Sequence, residues 1–147
     1  DEILGHTNRQ IPTMLDYQTH IDKGSMFNTP PVFSIYVSML TLRWLKKNGG
    51  IDWVEKRNIE KANLIYNCID KSAIFEGSAA AGDRSNMNAT FLLKEQLLED
   101  TFNKRCLEEG ISGLKGHRSV GGYRASMYNA MEINSVHALI NVMQTFN

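Results

Sequence analysis

The residues best suited to bind an anion lie in one stretch, Gly116–Arg124, which contains His117, Arg118 and Arg124 together with three glycines. A guanidinium group recognises a carboxylate or phosphate through two parallel hydrogen bonds. Glycine accepts positive φ, so a bend between the two arginines can bring both side chains to one anion. Two surface arginines that flank a glycine turn are the alternative interpretation, and spacing alone leaves both open.

A strand is predicted directly after the glycines, over Tyr123–Tyr128. Side chains alternate between the two faces of a strand. Arg124 and Ser126 should therefore share one face, while Tyr123 and its alternate neighbours Ala125 and Met127 form the other. The strand would present Arg124 from a fixed direction.

A second candidate anion site is the pair Asn28 and Thr29, which precedes an apolar segment. Thr29 can accept hydrogen bonds from the first free N–H groups of a helix, and Pro30 suits its first position. The helix is predicted to end at about Lys47, before Gly49–Gly50, and to be largely buried, because apolar side chains cover much of its circumference. Free N–H groups and the helix dipole at such a terminus favour an anion.

The remaining elements follow from periodicity and turn signals. A helix over Ile51–Lys71 is predicted to bury one side and to expose charged residues on the other; the inner positions are Val54, Asn58, Ile65, Cys68 and Ile69, and the exposed ones are Glu55, Lys56, Glu60 and Lys61. After it we predict a short strand at Ile74–Phe75, a loop, a strand over Asn88–Leu93, a helix over Glu95–Glu109, and a last helix capped by Asn134. Strands separated by helices predict an α+β fold, a two-layer sandwich with a small antiparallel or mixed sheet against helices.

Composition excludes several classes of function. The 147 residues allow one domain with a core, and 16 basic residues balance 16 acidic ones, so no long-range field favours nucleic acid or an acidic membrane. No apolar run approaches the length of a membrane span, and no signal peptide is visible. Cys68 and Cys106 are predicted to be buried free thiols, which fits a reducing cytosol. His6 and His20 lack a partner at metal-ligand spacing, so no metal is expected.

Three blocks of the sequence resemble a known family. The block Gly116–Ala130, GHRSVGGYRASMYNA, is similar to the C-terminal signature of the phosphoserine aminotransferases, which are class-V aminotransferases of fold type I. Asp22–Pro31, DKGSMFNTPP, and the shorter Arg84–Asn88, RSNMN, occur in the same order in that family. The resemblance covers nearly the whole chain. Two departures, Tyr123 in place of a common methionine and Gly24 in place of a common acidic residue, touch no anchor.

The resemblance implies the fold, the cofactor and the substrates. The fold would be the small C-terminal domain of an enzyme that uses pyridoxal 5'-phosphate as its cofactor. That enzyme would transfer an amino group between L-glutamate and 3-phosphohydroxypyruvate, giving phosphoserine and 2-oxoglutarate. That reaction belongs to serine biosynthesis, with pyridoxine biosynthesis as a second role. Arg124 would bind the substrate α-carboxylate, and His117 and Arg118 the distal phosphate or carboxylate. Asn28 and Thr29 would contact the cofactor phosphate of the neighbouring subunit in a cytoplasmic homodimer.

The resemblance also implies that part of the enzyme is missing. No lysine of this chain stands in the family's Schiff-base motif, and that lysine would lie upstream of Asp1. Residues 1–28 are therefore interpreted as an arm of the large domain and residues 29–147 as the small domain, with no catalytic residue in this chain and no activity for the chain alone. A free-standing, noncatalytic anion-binding or interaction module is the alternative function. Nucleic-acid binding through the two arginines is disfavoured by the zero net charge.

Overall fold

The computed structural model describes residues 4–117, 119 and 121–146, and the chain forms two compact units, Asp1–Lys47 and Asn48–Asn147. The first unit contains helix α1, Tyr17–Asp22, and the long helix α2, Val32–Lys47. The Asp16 side chain begins α1 by accepting a hydrogen bond from the backbone N–H of Gln18 at 3.0 Å.

The prediction that the apolar helix would be largely buried is wrong for this chain. No residue of α2 is buried, and Phe33 and Leu42 are 79% and 64% exposed. Its end at Lys47 agrees with the prediction. Apolar residues around the whole circumference need packing partners on several sides, and the described residues of this unit leave those of α2 exposed.

The second unit contains three helices and a three-stranded sheet among its described residues. The helices are α3, Gly50–Lys71, α4, Glu99–Glu108, and α5, Ile133–Thr145; the strands are β1, Phe75–Gly77, β2, Asn88–Leu93, and β3, Tyr123–Ser126. The strand order is β1-β2-β3, and both pairs are antiparallel. The predicted α+β class and the small sheet against helices are confirmed.

The core lies between the helices and one face of the sheet. Along β2 the side chains alternate between half-buried and buried, so Ala89, Phe91 and Leu93 face the helices. Phe102 of α4 is fully buried and lies 5.1 Å, between ring centroids, from both Phe75 and Tyr123. This aromatic cluster fixes the direction in which β3 leaves the core.

Several element boundaries differ from the sequence prediction; β1, for example, spans Phe75–Gly77 and not Ile74–Phe75. Strand β3 stops at Ser126 instead of Tyr128, because the carbonyls that follow bind a side chain of α3 instead of a strand. A 3-10 turn over Gln96–Leu98 delays α4 to Glu99. Helix α5 starts at Ile133 after Glu132, so Asn134 lies inside the helix and does not cap it.

Both cysteines are free thiols, as predicted. Cys106 is buried, and this burial raises the pKa of its thiol to about 11. Cys68 is half-buried, and burial raises its pKa as well. Neither thiol is therefore activated as a nucleophile.

Candidate functional site

The predicted anion-binding stretch forms a loop that closes on itself. The backbone N–H of Gly116 donates to the carbonyl of Gly122 at 2.8 Å, and the N–H of Gly121 donates to the carbonyl of His117 at 2.9 Å. Gly121 and Gly122 have φ of 76° and 64°, in the region that side chains avoid. We call residues 116–122 the glycine loop.

Glycines let this loop lie close to its neighbours. A Cβ at Gly116 would collide with the carbonyl oxygen of Gly121, and one at Gly122 would collide with the Leu92 side chain and lie 2.9 Å from the Phe91 carbonyl oxygen. The end of the glycine loop, at Gly122, therefore packs directly against Phe91 and Leu92 of β2. The sequence showed that a bend was needed there, but not that two of the glycines are required by close packing.

His117 is held within the glycine loop by Ser119. Its ring Nδ1 lies 2.7 Å from Ser119 Oγ and 3.3 Å from the backbone nitrogen of Ser119. The side chain is exposed, so the ring remains accessible from its other edge. Ser119 is a contact of His117 that the sequence pattern did not predict.

Arg124 lies on the outer face of the sheet, as predicted, with Ser126 on the same face. Its backbone N–H donates to the Leu114 carbonyl at 2.6 Å, and Thr90 is its direct partner on β2. Ser126 donates from Oγ to Oδ1 of Asn88 at 3.1 Å, so the polar residues of this face are ordered. Within the described part of the chain, no carboxylate forms an ion pair with the exposed Arg124 guanidinium.

The backbone brings His117 and Arg124 to one hairpin. Lys115 forms a bridge with Tyr123, so the residues just before the glycine loop lie beside the start of β3. A cavity of about 390 Å³ lies beside Arg124, between residues 109–114, β3 and the start of α5. A larger cavity, of about 640 Å³, lies between α3 and α5 and is lined by none of the predicted site residues. Arg118, the third predicted anchor, lies outside the described residues.

The first unit presents Asn28 and Thr29 on the segment before α2, where both are exposed. Thr29 does not cap the helix as predicted, because α2 begins at Val32 and two prolines separate them. The N–H of Val32 already donates to the Pro30 carbonyl at 2.8 Å. This bond occupies one of the N–H groups at the start of α2.

These two side chains still provide donors that suit a phosphate group. Asn28 donates one N–H from Nδ2 to the Met14 sulfur at 3.3 Å, which leaves the second N–H of that amide. The hydroxyl of Thr29 is exposed. The pair therefore offers two neutral hydrogen-bond donors to an anion.

Lys61 is the residue whose burial the sequence prediction got wrong. It was predicted on the solvated face of its helix, yet it is 0% exposed. Its Nζ donates to the carbonyls of Tyr128 at 2.8 Å, Met127 at 3.3 Å and Met131 at 3.4 Å. Burial lowers the pKa of Lys61, the nearby Arg57 charge lowers it further, and Glu132 opposes both.

All three N–H bonds of the Lys61 ammonium group are thus used to hold the segment after β3. Two neighbouring residues of α3 bind the same segment: Nδ2 of Asn58 donates to Oδ1 of Asn129 at 2.8 Å, and Arg57 pairs with Glu132 at 2.6 Å. We call Arg57, Asn58 and Lys61 the α3 clamp. A lysine with this role is structural and does not offer a free amine to a cofactor.

Comparison with known proteins identifies the family. The class-V aminotransferase family matches residues 2–139, which is most of the chain. The chain belongs to the class-V aminotransferases. It is 60% identical to a phosphoserine aminotransferase of Flavobacterium psychrophilum and 53% identical to one of Bacteroides thetaiotaomicron. The matches cover 98% and 99% of this chain but only 40% and 42% of those relatives.

Solved structures of the family agree with the fold. The chain is similar to phosphoserine aminotransferase from Bacillus circulans subsp. alkalophilus, with a TM-score of 0.87 and 43% identity over 99% of this chain and 40% of that one. It is also similar to the enzyme of Trichomonas vaginalis, with a TM-score of 0.82 and 33% identity over 94% of this chain and 40% of that one. The chain therefore spans about two fifths of the length of its relatives.

The described residues contain no group of three or more histidine, cysteine or acidic side chains arranged to hold a metal ion. Among those same residues, none of the helices has both the length and the apolar character needed to cross a bilayer.

Proposed function

We propose that the chain is the C-terminal part of a phosphoserine aminotransferase, which transfers an amino group between L-glutamate and 3-phosphohydroxypyruvate to give phosphoserine and 2-oxoglutarate. The family match and the names of the relatives support this proposal. The observation that supports it is the hairpin in which Lys115 pairs with Tyr123, because the His117 loop then connects directly to the strand that bears Arg124. These substrates have an anion at each end, and such a hairpin offers two anchors.

Arg124 is proposed to bind the α-carboxylate that all these substrates share. Strand β3 fixes the direction of the side chain, and no described carboxylate neutralises it. The planar guanidinium can donate two parallel hydrogen bonds to a carboxylate. His117 and Arg118 are proposed to bind the distal phosphate or carboxylate.

Asn28 and Thr29 are proposed to hold the phosphate of pyridoxal phosphate in the neighbouring subunit of a homodimer. The free amide N–H and the hydroxyl are neutral donors of the kind that a phosphate oxygen accepts. When bound, the cofactor supplies an electron sink for the transfer of the amino group. This chain supplies no Schiff-base lysine, which we place in the remainder of the parent protein.

The division of the chain is part of the proposal. Residues 1–28 are proposed to belong with the large cofactor-binding domain, and residues 29–147 to form the small domain. The parent is proposed to act in serine biosynthesis in the cytoplasm. The chain alone is then inactive, and on mixing with pyridoxal phosphate it should form no stoichiometric, borohydride-trapped adduct at one specific lysine.

Steady-state kinetics of the full-length parent test the role of Arg124. Arg124→Ala should lower kcat/KM for both glutamate and phosphoserine about tenfold or more, because one charged hydrogen bond contributes roughly 1.5–3 kcal/mol. The matched control is Arg105→Ala, since Arg105 is exposed on α4 and forms an ion pair with Glu109 at 3.4 Å. Unchanged kcat/KM for both substrates in Arg124→Ala would remove this residue from the site.

Subunit mixing tests Asn28. In the parent, Asn28→Ala should weaken cofactor binding without changing the circular dichroism spectrum. Heterodimers of Asn28→Ala subunits with subunits that lack the Schiff-base lysine should regain part of their activity, because one shared site would carry both defects and the other neither. Heterodimers that form but regain no activity would assign Asn28 to its own subunit.

A further inference from the structure

The orientation of the His117 ring follows from its contacts with Ser119. A backbone N–H can only donate, and the Ser119 N–H lies 3.3 Å from Nδ1 with a geometry that makes the ring nitrogen its acceptor. In the neutral ring this contact favours the tautomer with the lone pair on Nδ1 and the proton on Nε2. The hydroxyl of Ser119, 2.7 Å from the same Nδ1, can donate to it as well.

The hydroxyl gives the same orientation when the ring is charged. An imidazolium Nδ1–H would donate to Ser119 Oγ, since a hydroxyl oxygen can accept as readily as donate. The Ser119 hydroxyl thus contacts the Nδ1 edge in both protonation states, while the Ser119 backbone N–H can donate to it only in the neutral ring. In both states the other edge presents an N–H group.

The surroundings leave that outer edge available. The backbone on both sides of His117 is fixed, since its carbonyl accepts from Gly121 and the preceding glycine bonds Gly122. Within the described residues, Nε2 of His117 has no hydrogen-bond partner, whereas Nε2 of His20 lies 3.0 Å from the Met14 carbonyl oxygen. A ring of the opposite tautomer would turn a lone pair toward an incoming anion and repel it.

We propose that Ser119 is a positioning residue that occupies Nδ1 of His117, so that the ring binds an anionic phosphate oxygen of the substrate through Nε2–H. This inference rests on the proposed aminotransferase function for the identity of the ligand. Arg118 adds a second donor in the same region of the sequence, and Ser119 fixes the direction in which the His117 ring donates.

Nitrogen-15 NMR of the uniformly labelled chain tests the positioning without any catalysis. Long-range proton–nitrogen correlations of the His117 ring at mildly alkaline pH should show Nε2 protonated and Nδ1 as the acceptor. Titration with inorganic phosphate should then shift the Nε2 resonance of His117 in a saturable manner. The His20 ring is an internal reference, because its Nε2 is already bonded to a carbonyl.

Variants separate the hydroxyl from the general fold. Ser119→Ala should weaken the response to phosphate roughly two- to tenfold, the value of one neutral hydrogen bond, and Ser119→Thr should restore it. Ser112→Ala, at another exposed serine before the glycine loop, should behave as wild type. A ring with the proton on Nδ1 would overturn the assigned orientation, and a Ser119→Ala variant that responds to phosphate as wild type does would overturn the positioning role of the Ser119 hydroxyl. A His117 ring that does not respond to phosphate would overturn the ligand assignment.

Kinetics of the full-length parent distinguish this inference from the proposed function. Ser119→Ala should raise KM for phosphoserine roughly two- to tenfold with a smaller change in kcat, and Ser119→Thr should recover it. If the wild-type parent shows no transamination, the proposed function fails, whichever nitrogen of the His117 ring is protonated. If the parent is active and Ser119→Ala has the wild-type KM, only the positioning role fails.

Discussion

Replacing Lys61 with methionine should destabilise the second unit more than any substitution of an exposed lysine. Methionine keeps the length of the apolar stem and removes the ammonium group that donates to the carbonyls of Met127, Tyr128 and Met131. Each buried carbonyl that loses its donor costs about 1–3 kcal/mol. The bond to Tyr128, at 2.8 Å, is short, while those at 3.3 and 3.4 Å are long and should contribute less.

An opposing contribution reduces the expected loss. Removing a buried charge removes the free-energy cost of its desolvation. Burial and the nearby Arg57 charge both disfavour the charged form of Lys61, as its lowered pKa indicates. We therefore expect a net loss of about 2–4 kcal/mol in the free energy of unfolding. Single domains are typically stable by roughly 5–15 kcal/mol, so the effect should be large.

Urea unfolding followed by circular dichroism measures this loss. Lys61→Met should lower the midpoint with an unchanged m-value. Lys56→Met, on the exposed side of the same helix, should lie within about 0.5 kcal/mol of wild type. A Lys61→Met variant as stable as wild type would refute the reasoning, because it would mean that burying the charge costs as much as the three hydrogen bonds contribute.

Three further predictions concern the glycine loop and the ionisable groups. Gly116→Ala should lower the free energy of unfolding in urea by about 1–3 kcal/mol and should break the His117–Ser119 contact in NMR spectra, because its Cβ would collide with the Gly121 carbonyl oxygen. Gly82→Ala, where a Cβ meets nothing within 4 Å, should be tolerated, and equal losses in the two variants would refute the steric argument. Cys106 has a folded-state pKa of about 11 against 9.0 unfolded, so the stability that its thiol provides is present below pH 9 and is lost as the pH rises. Between pH 8 and 11 the free energy of unfolding of wild type should fall by about 2 kcal/mol more than that of Cys106→Val, and parallel plots of unfolding free energy against pH would contradict this. The hydrogen bonds from Arg84 at 2.7 Å hold the pKa of Asp70 below 3.8, so wild type should lose stability relative to Asp70→Asn as the pH falls below about 4. A constant difference in unfolding free energy between the two proteins down to about pH 2 would refute the contribution of the Arg84–Asp70 pair.

Features governed by local physics could be predicted from the sequence. The bounds of β2, Asn88–Leu93, and the end of α2 at Lys47 agree with the pattern, because strand-forming runs and glycine stops act over a few residues. The shared face of Arg124 and Ser126 follows from the geometry of any strand. The free thiols and the α+β class were also evident from spacing and element order.

One strand end was predicted wrongly because a distant group binds the backbone, and two helix starts because the local chain enters the helix at another residue. Tyr128 was predicted as strand, but its carbonyl accepts from Lys61 of α3 and the strand ends at Ser126. Asn134 has a good capping side chain, yet the turn after β3 starts α5 earlier. Thr29 lost its capping role because α2 begins only after the second proline.

The sequence by itself determined the candidate anion-binding residues: an arginine on a strand face, a histidine among glycines, and an asparagine–threonine pair before a helix. Tertiary structure decided which lysine is buried and which glycines are required by close packing. The reason is physical. Side-chain periodicity is set within a few residues, whereas the burial of Lys61 depends on carbonyls more than 60 positions away along the chain. The environment of a polar group is fixed only when distant segments pack against it.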